Sequence, residues 1–290
     1  MRYDGHTRTC GLIGNPVEHT LSPLMHNHMA QATDINMVYV PFHVENGALE
    51  DAVKGAYALN LLGVNVTIPY KSDVIPYLAE VDSLALKIGA VNTLVRTPQG
   101  YKGYNTDMPG LYRAMVSDGV NLRGKTVIIL GAGGVARAVA IMLLEKGAGK
   151  VVILNRTIQK AALIAEEVNT LAGYEFAKAM EMSAYRELSG EKYLVIQATS
   201  VGMHPDTESA VIESEDFYEL METGYDLVYN PANTKFMRLA KKTGAKAYNG
   251  AKMLLYQGII AYELWNDTDI SDELADEVYQ IMLDAMGVRA

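Results

Sequence analysis

Three short stretches of this chain hold residues whose types and spacing could do chemistry. In EHTLSPLMHNH, Glu18 to His28, two hydroxyls, Thr20 and Ser22, precede Pro23 and stand among three histidines. Ser22 reads as a helix N-cap with Pro23 at the first helical position. Two O–H donors beside the positive end of a helix can receive a carboxylate; a plain N-cap is the alternative. Leu24, Met25, Met29 and Ala32 are expected on one apolar face, with His28 beside them. His26 and His28 point different ways on a helix and make a poor metal pair, so a satisfied core histidine is expected and no metal.

The second stretch, GAGGVA, has the G-x-G-x-x-A form, with Gly131, Gly133 and Ala136. Gly131 permits a tight turn, Gly133 lets backbone approach a pyrophosphate, and Ala136 keeps helix and strand close. Gly131, Ala132, Gly133, Gly134 and Val135 are therefore the expected dinucleotide cradle, on the N-terminus of the following helix. The third stretch, LNRTIQK, stands where NAD sites carry a carboxylate for the ribose 2′-hydroxyl. It offers Asn155, Arg156, Thr157 and, a turn later, Lys160. Arg156 can stack on adenine and pair with a 2′-phosphate, so NADP is expected over NAD.

Such residues need elements to position them. KTVIIL, the glycine turn and a helical run to Gly147 are followed by the strand KVVILN and a helix from Ile158 to about Leu171. KYLVIQAT and YDLVYN read as further strands, NTKFMRLAKKTG as a helix stopped by Gly244, and AKAYN as a last strand. Strands alternating with helices predict a doubly wound parallel sheet, an α/β fold of Rossmann type. The first hundred residues alternate too, through TCGLIG, MVYVPFHV, LGVNVTI and a hairpin turning at Pro98-Gln99-Gly100. The expected domains are residues 1–108, 109–248 and 249–290, the last being helices that return to the first domain.

Composition narrows the classes. With 49% hydrophobic and 20% charged residues, the chain can bury a substantial core. A net charge of -9 argues against a general nucleic-acid surface. The one cysteine, Cys10, excludes an intramolecular disulfide and is read as a buried structural thiol. No secretory signal and no membrane-length apolar run are apparent, so a cytoplasmic protein is expected.

Taken with these stretches, the sequence resembles the shikimate dehydrogenase family over almost its full length. GNPVEHTLSPLMHN, NVTIPYK, GAVNT, GYNTD, GAGGVARAV, NRT, ATSVGM and YNGAKMLLYQG stand in the family's order and spacing. The resemblance implies reversible NADPH-dependent reduction of 3-dehydroshikimate to shikimate in aromatic amino-acid biosynthesis. It implies Lys71 and Asp107 as the catalytic pair, and Thr20 and Ser22 as the seat of the substrate carboxylate, with Tyr229 nearby. It implies Asn65, Thr67, Asn92 and Gln257 for ring hydroxyls, alongside Lys71 and Asp107. Gly250 and Met253 would lie against the nicotinamide, and Thr199 and Leu227 would line the cofactor cleft.

Hydride transfer leaves developing negative charge on a carbonyl oxygen, which needs a proton. A free lysine titrates at about 10.4, so exchange near neutrality needs burial or neighbours, and Asp107 alone would raise that value. Whether Lys71 donates the proton or anchors charge is left open. The family usually has serine at both hydroxyl positions; Thr20 keeps the donor but adds a methyl and stiffens χ1. A quinate/shikimate dehydrogenase, or a related paralogue, is the alternative reading, and a non-catalytic sensor a more distant one. A homodimer is one assembly state that the sequence leaves open.

Overall fold

The computed structural model describes residues 3–188 and 192–288. The chain divides into two compact units: one runs to Gly110 and resumes at Leu254, and the other spans Leu111–Met253.

The first unit begins with β1 (Arg8–Gly14), α1 (Ser22–Ala32), β2 (Met37–His43), α2 (Leu49–Ala58) and β3 (Gly63–Val66). It continues through β4 (Glu80–Val81), α3 (Ser83–Ile88), β5 (Thr93–Thr97), β6 (Gly100–Tyr104) and α4 (Asp107–Ser117), which carries the chain onward. The six strands lie in the order β2-β1-β3-β5-β6-β4. β1 runs parallel to β2 and β3, whereas β5 is antiparallel to β3 and β6. Apolar side chains from α2, β3 and β5, among them Val53, Val64, Val66 and Leu94, form the core on one face. Cys10 is fully buried, and burial pushes its thiol up to about 12, so it is inert.

The second unit contains β7 (Thr126–Leu130), α5 (Gly134–Glu145), β8 (Lys150–Asn155), α6 (Ile158–Ala172) and β9 (Ala177–Glu181). After these come β10 (Tyr193–Gln197), α7 (Glu215–Tyr218), β11 (Met221–Asp226), α8 (Lys235–Lys242) and β12 (Lys246–Tyr248). Its sheet is entirely parallel, in the order β12-β11-β10-β7-β8-β9. The chain winds outward from β7 in one direction and from β10 in the other. The switch point between these two strands is where ligands settle in such sheets.

Two helices close the chain, α9 (Ala251–Asn266) and α10 (Asp272–Ala285). From Leu254 onward they belong to the first unit. The indole N–H of Trp265 donates to the Leu94 carbonyl at 2.9 Å, laying α9 against the first sheet. None of the described helices is long and apolar enough to cross a membrane.

Four details differ from the sequence reading. Ser22 is the first residue of α1 and Leu21 its cap, because Thr20 Oγ1 accepts the Ser22 N–H at 3.2 Å and starts the turn earlier. On α1, Leu24 and Ala32 are exposed and His26, not His28, is buried with Met25 and Met29. The YDLVYN strand ends at Asp226, whose carboxylate accepts the Val228 N–H at 3.0 Å and turns the chain. β9 and α7 had no counterpart in the reading; AKAME lacks the β-branched run that marks a strand.

Candidate active site

In the first unit, the loop after β3 and the start of α4 bring Lys71 to Asp107. Lys71 Nζ donates to Asp107 Oδ2 at 2.7 Å, with the two side chains 33% and 19% exposed. The other carboxylate oxygen accepts from Asn92 Nδ2 at 2.9 Å. Backbone fixes the same arrangement, since the Val91 N–H donates to the Lys71 carbonyl at 2.7 Å. Asn92 is held in turn by Thr106, whose N–H donates to its Oδ1 at 2.7 Å. A carboxylate with both oxygens occupied by donors stays in one orientation. Lys71 keeps two N–H bonds beyond the one that Asp107 receives.

Asn65 is buried beside this group. Its Nδ2 donates to the Asn92 carbonyl at 3.2 Å and to Thr93 Oγ1 at 3.0 Å, and its Oδ1 accepts from Tyr39 Oη at 2.8 Å. Thr67 is half-buried at the end of the same strand. Its methyl occupies the space that a side chain at Gly14 would need, 2.3 Å from where a Cβ would stand. Thr20 Oγ1 donates to Ser22 Oγ at 3.1 Å, so the two hydroxyls of the opening stretch meet. Gln257, on α9, is held close to α4 by Gly110, where a Cβ would fall 2.6 Å from the Gln257 nitrogen. Its amide nitrogen donates to Leu254 of its own helix at 2.9 Å.

His26 behaves unlike an ordinary core histidine. It is 1% exposed, and neither ring nitrogen has a hydrogen-bond partner. Burial pushes its pKa down to about 3, so the ring is neutral and stacks 4.3 Å from Tyr39 at 14°. His28 instead pairs with Glu277 at 2.9 Å near the surface.

In the second unit, Gly131 follows β7 with φ +107, a left-handed conformation that favours glycine. A Cβ there would stand 2.5 Å from Thr199 Cγ2, so the ends of β7 and β10 approach only because the side chain is absent. Where Cβ atoms at Gly133 and Gly134 would stand, nothing lies within 4 Å. Gly133 caps α5 without a side-chain hydrogen bond, leaving Ala132, Gly134 and Val135 on an open turn of backbone donors. After β8, Asn155 Nδ2 donates to the Thr157 carbonyl at 2.9 Å, shaping the turn that presents Arg156. Arg156, Thr157 and Lys160 are exposed. These are features that accept a dinucleotide: open backbone at the switch point and cations after the second strand.

Thr199 has a buried support. Gln197 Oε1 accepts from its N–H and its hydroxyl, both at 2.6 Å, and Gln197 Nε2 donates to Asp226 Oδ1 at 3.0 Å. Asp226 also accepts from Thr234 Oγ1 at 2.6 Å, yet burial still pushes its carboxyl up to about 6. Leu227 and Gly250 touch, the Gly250 N–H donating to the Val228 carbonyl at 3.1 Å. Met253 lies two residues beyond the start of α9, and Tyr229, 40% exposed, follows β11.

Comparison with known proteins decides the family. Residues 12–94 match the shikimate dehydrogenase substrate binding domain, and residues 114–225 match shikimate / quinate 5-dehydrogenase. A shikimate dehydrogenase (NADP(+)) from Carboxydothermus hydrogenoformans is 41% identical over 270 residues, 91% of this chain and 94% of that protein. The chain belongs to the shikimate dehydrogenase family. A crystal structure of a shikimate dehydrogenase in complex with NADP+ superposes with a TM-score of 0.87 at 35% identity, covering 98% of each chain. Shikimate 5-dehydrogenase from Listeria monocytogenes, in complex with shikimate and NAD, gives 0.89 at 32% identity, covering 97% of this chain and 98% of that one.

Against this family background, the residues that sequence reasoning passed over are the buried polar ones. Thr93 and Thr106 had a signal, each following an asparagine in NT or NTD. Tyr39, Gln197 and Asp226 had none, because each sits in a run that reads as strand core.

Proposed function

We propose that this chain catalyses the reversible NADPH-dependent reduction of 3-dehydroshikimate to shikimate, a step of aromatic amino-acid biosynthesis. The first unit takes the substrate and the second the nucleotide. The observation that carries the reading is the group Lys71–Asp107–Asn92: a cation with spare donors, held by a carboxylate that is itself fixed.

When bound, NADPH supplies the hydride. Lys71 delivers a proton to the substrate oxygen as negative charge develops there, and Asp107 holds the ammonium and orients the reacting hydroxyl. Thr20 and Ser22 receive the carboxylate, with Tyr229 as a further donor. Asn65, Thr67, Asn92 and Gln257 address ring hydroxyls, a donor and acceptor set suited to a small polyhydroxylated acid. Gly131, Ala132, Gly133, Gly134 and Val135 would hold the pyrophosphate. Asn155, Arg156, Thr157 and Lys160 would hold the adenosine 2′-phosphate end, and Thr199, Leu227, Gly250 and Met253 the nicotinamide end. Arg156 supports NADP over NAD, because a guanidinium attracts the 2′-phosphate that a carboxylate would repel.

Incubation with 3-dehydroshikimate and NADPH, followed by chromatography of the products, tests the reading. Stoichiometric shikimate is expected; consumption of neither reactant would contradict it.

A further inference from the structure

Resting on that function, we propose that Tyr39 is a positioning residue whose hydroxyl, donating to Asn65 Oδ1, holds the Asn65 amide in place and fixes the hydrogen bond it can offer a ligand. The argument begins at Asn65. Its two amide protons go to the Asn92 carbonyl and to Thr93 Oγ1, so its Oδ1 is the end that meets Tyr39, 2.8 Å away. The Tyr39 O–H must therefore donate there, and a phenol has one proton. Tyr39 thus holds the Asn65 amide oxygen from one side while the Asn92 carbonyl and Thr93 Oγ1 hold its nitrogen from the other.

This direction has a chemical consequence. Asn65 offers a lone pair and no proton, so it selects a substrate hydroxyl that donates. A ligand with an acceptor at that place is rejected, because two acceptors would meet.

The rest of the opening stretch serves the same residue. Asn27 Oδ1 accepts the Tyr39 N–H at 2.8 Å, and Asn27 Nδ2 donates to the Tyr39 carbonyl at 3.0 Å. His26 stacks on the ring, and Trp265 tilts against it with centroids 6.0 Å apart. The unpartnered nitrogens of His26 make sense for a neutral platform that orients Tyr39 through its ring face.

Tyr39→Phe keeps the ring and removes the hydroxyl. Steady-state kinetics of wild type and variant, with shikimate and NADP+, should show the shikimate KM raised about tenfold, kcat within about threefold, and the NADP+ KM unchanged. Trp265 is the only tryptophan, so an unchanged emission maximum reports an intact aromatic cluster. A residue that merely fills the core would lower the melting temperature and leave the shikimate KM alone; that result, or a fall in kcat without a rise in KM, overturns the proposal. Should the variant not fold, Thr93→Val releases Asn65 from its other side and must raise the shikimate KM; an unchanged KM there overturns it equally. An inactive wild type would overturn the proposed function and this inference together. An active wild type whose Tyr39→Phe variant keeps its shikimate KM overturns the inference alone.

Discussion

Lys71 and Asp107 are 36 residues apart in sequence and 2.7 Å apart in space, and the carboxylate that joins them is also gripped by Asn92. The loop after β3 that carries Lys71, the residue before β5, Asn92, and the first turn of α4 that carries Asp107 meet at that contact. The proposed proton-transfer role is supported by a cation that is held, partly exposed and still has donors free.

Replacing that cation should abolish chemistry without unfolding the protein. Lys71→Ala is expected to lower kcat by at least about 100-fold, the usual scale for loss of a general acid. NADPH binding, followed by nicotinamide fluorescence, should be unchanged. Turnover at the wild-type rate would remove Lys71 from the mechanism.

Arg156 should govern the choice of nucleotide. Arg156→Ala is expected to lower kcat/KM for NADP+ by about 10- to 100-fold, the worth of hydrogen bonds to a charged group. The value for NAD+ should move little. Equal losses with both nucleotides would mean that Arg156 does not read the 2′-phosphate.

Asp226 predicts a pH dependence of stability. Its carboxyl is raised to about 6 by burial, above an unfolded value near 3.8. A raised value means that the folded state binds the proton more tightly. The group's contribution is full below the unfolded value and is lost as pH rises through about 6. Between pH 4 and 7 the wild type should lose up to about 3 kcal/mol relative to Asp226→Asn, read from urea unfolding. A constant difference between the two across that range would contradict the assignment.

His26 predicts the opposite slope. Burial lowers it to about 3 from 6.5, so its contribution is present above the unfolded value and is lost as pH falls toward 3. His26→Phe keeps a ring for Tyr39 to stack on and removes the two unpartnered nitrogens. Taken from pH 7 to pH 4, the wild type should lose about 3 kcal/mol that this variant keeps. Parallel acid limbs would show that His26 is not buried neutral.

Much of this could be read locally. The glycine turn at Gly131, the strand before it and the helix after it are neighbours in sequence, so their chemistry is written in one place. The same is true of Arg156 after β8, and of the Gly244 stop. What escaped the reading depends on partners far away. β9 is secured by Asn169, whose Oδ1 accepts the N–H groups of Phe176 and Ala177 at 2.8 and 2.7 Å, so a weak strand sequence suffices. Ser22 was misplaced by one residue because the hydroxyl that opens α1 is that of Thr20. Tyr39 and Asp226 look like ordinary strand residues, and only the cross-strand hydrogen bonds set them apart.

The most direct measurement is the initial rate of nicotinamide reduction for shikimate or quinate, each with NADP+ or NAD+. Turnover concentrated in the pair of shikimate and NADP+ is the predicted result, as expected if Thr20 holds the substrate carboxylate and Arg156 selects the nucleotide. Equal or faster turnover of quinate with NAD+ would contradict it.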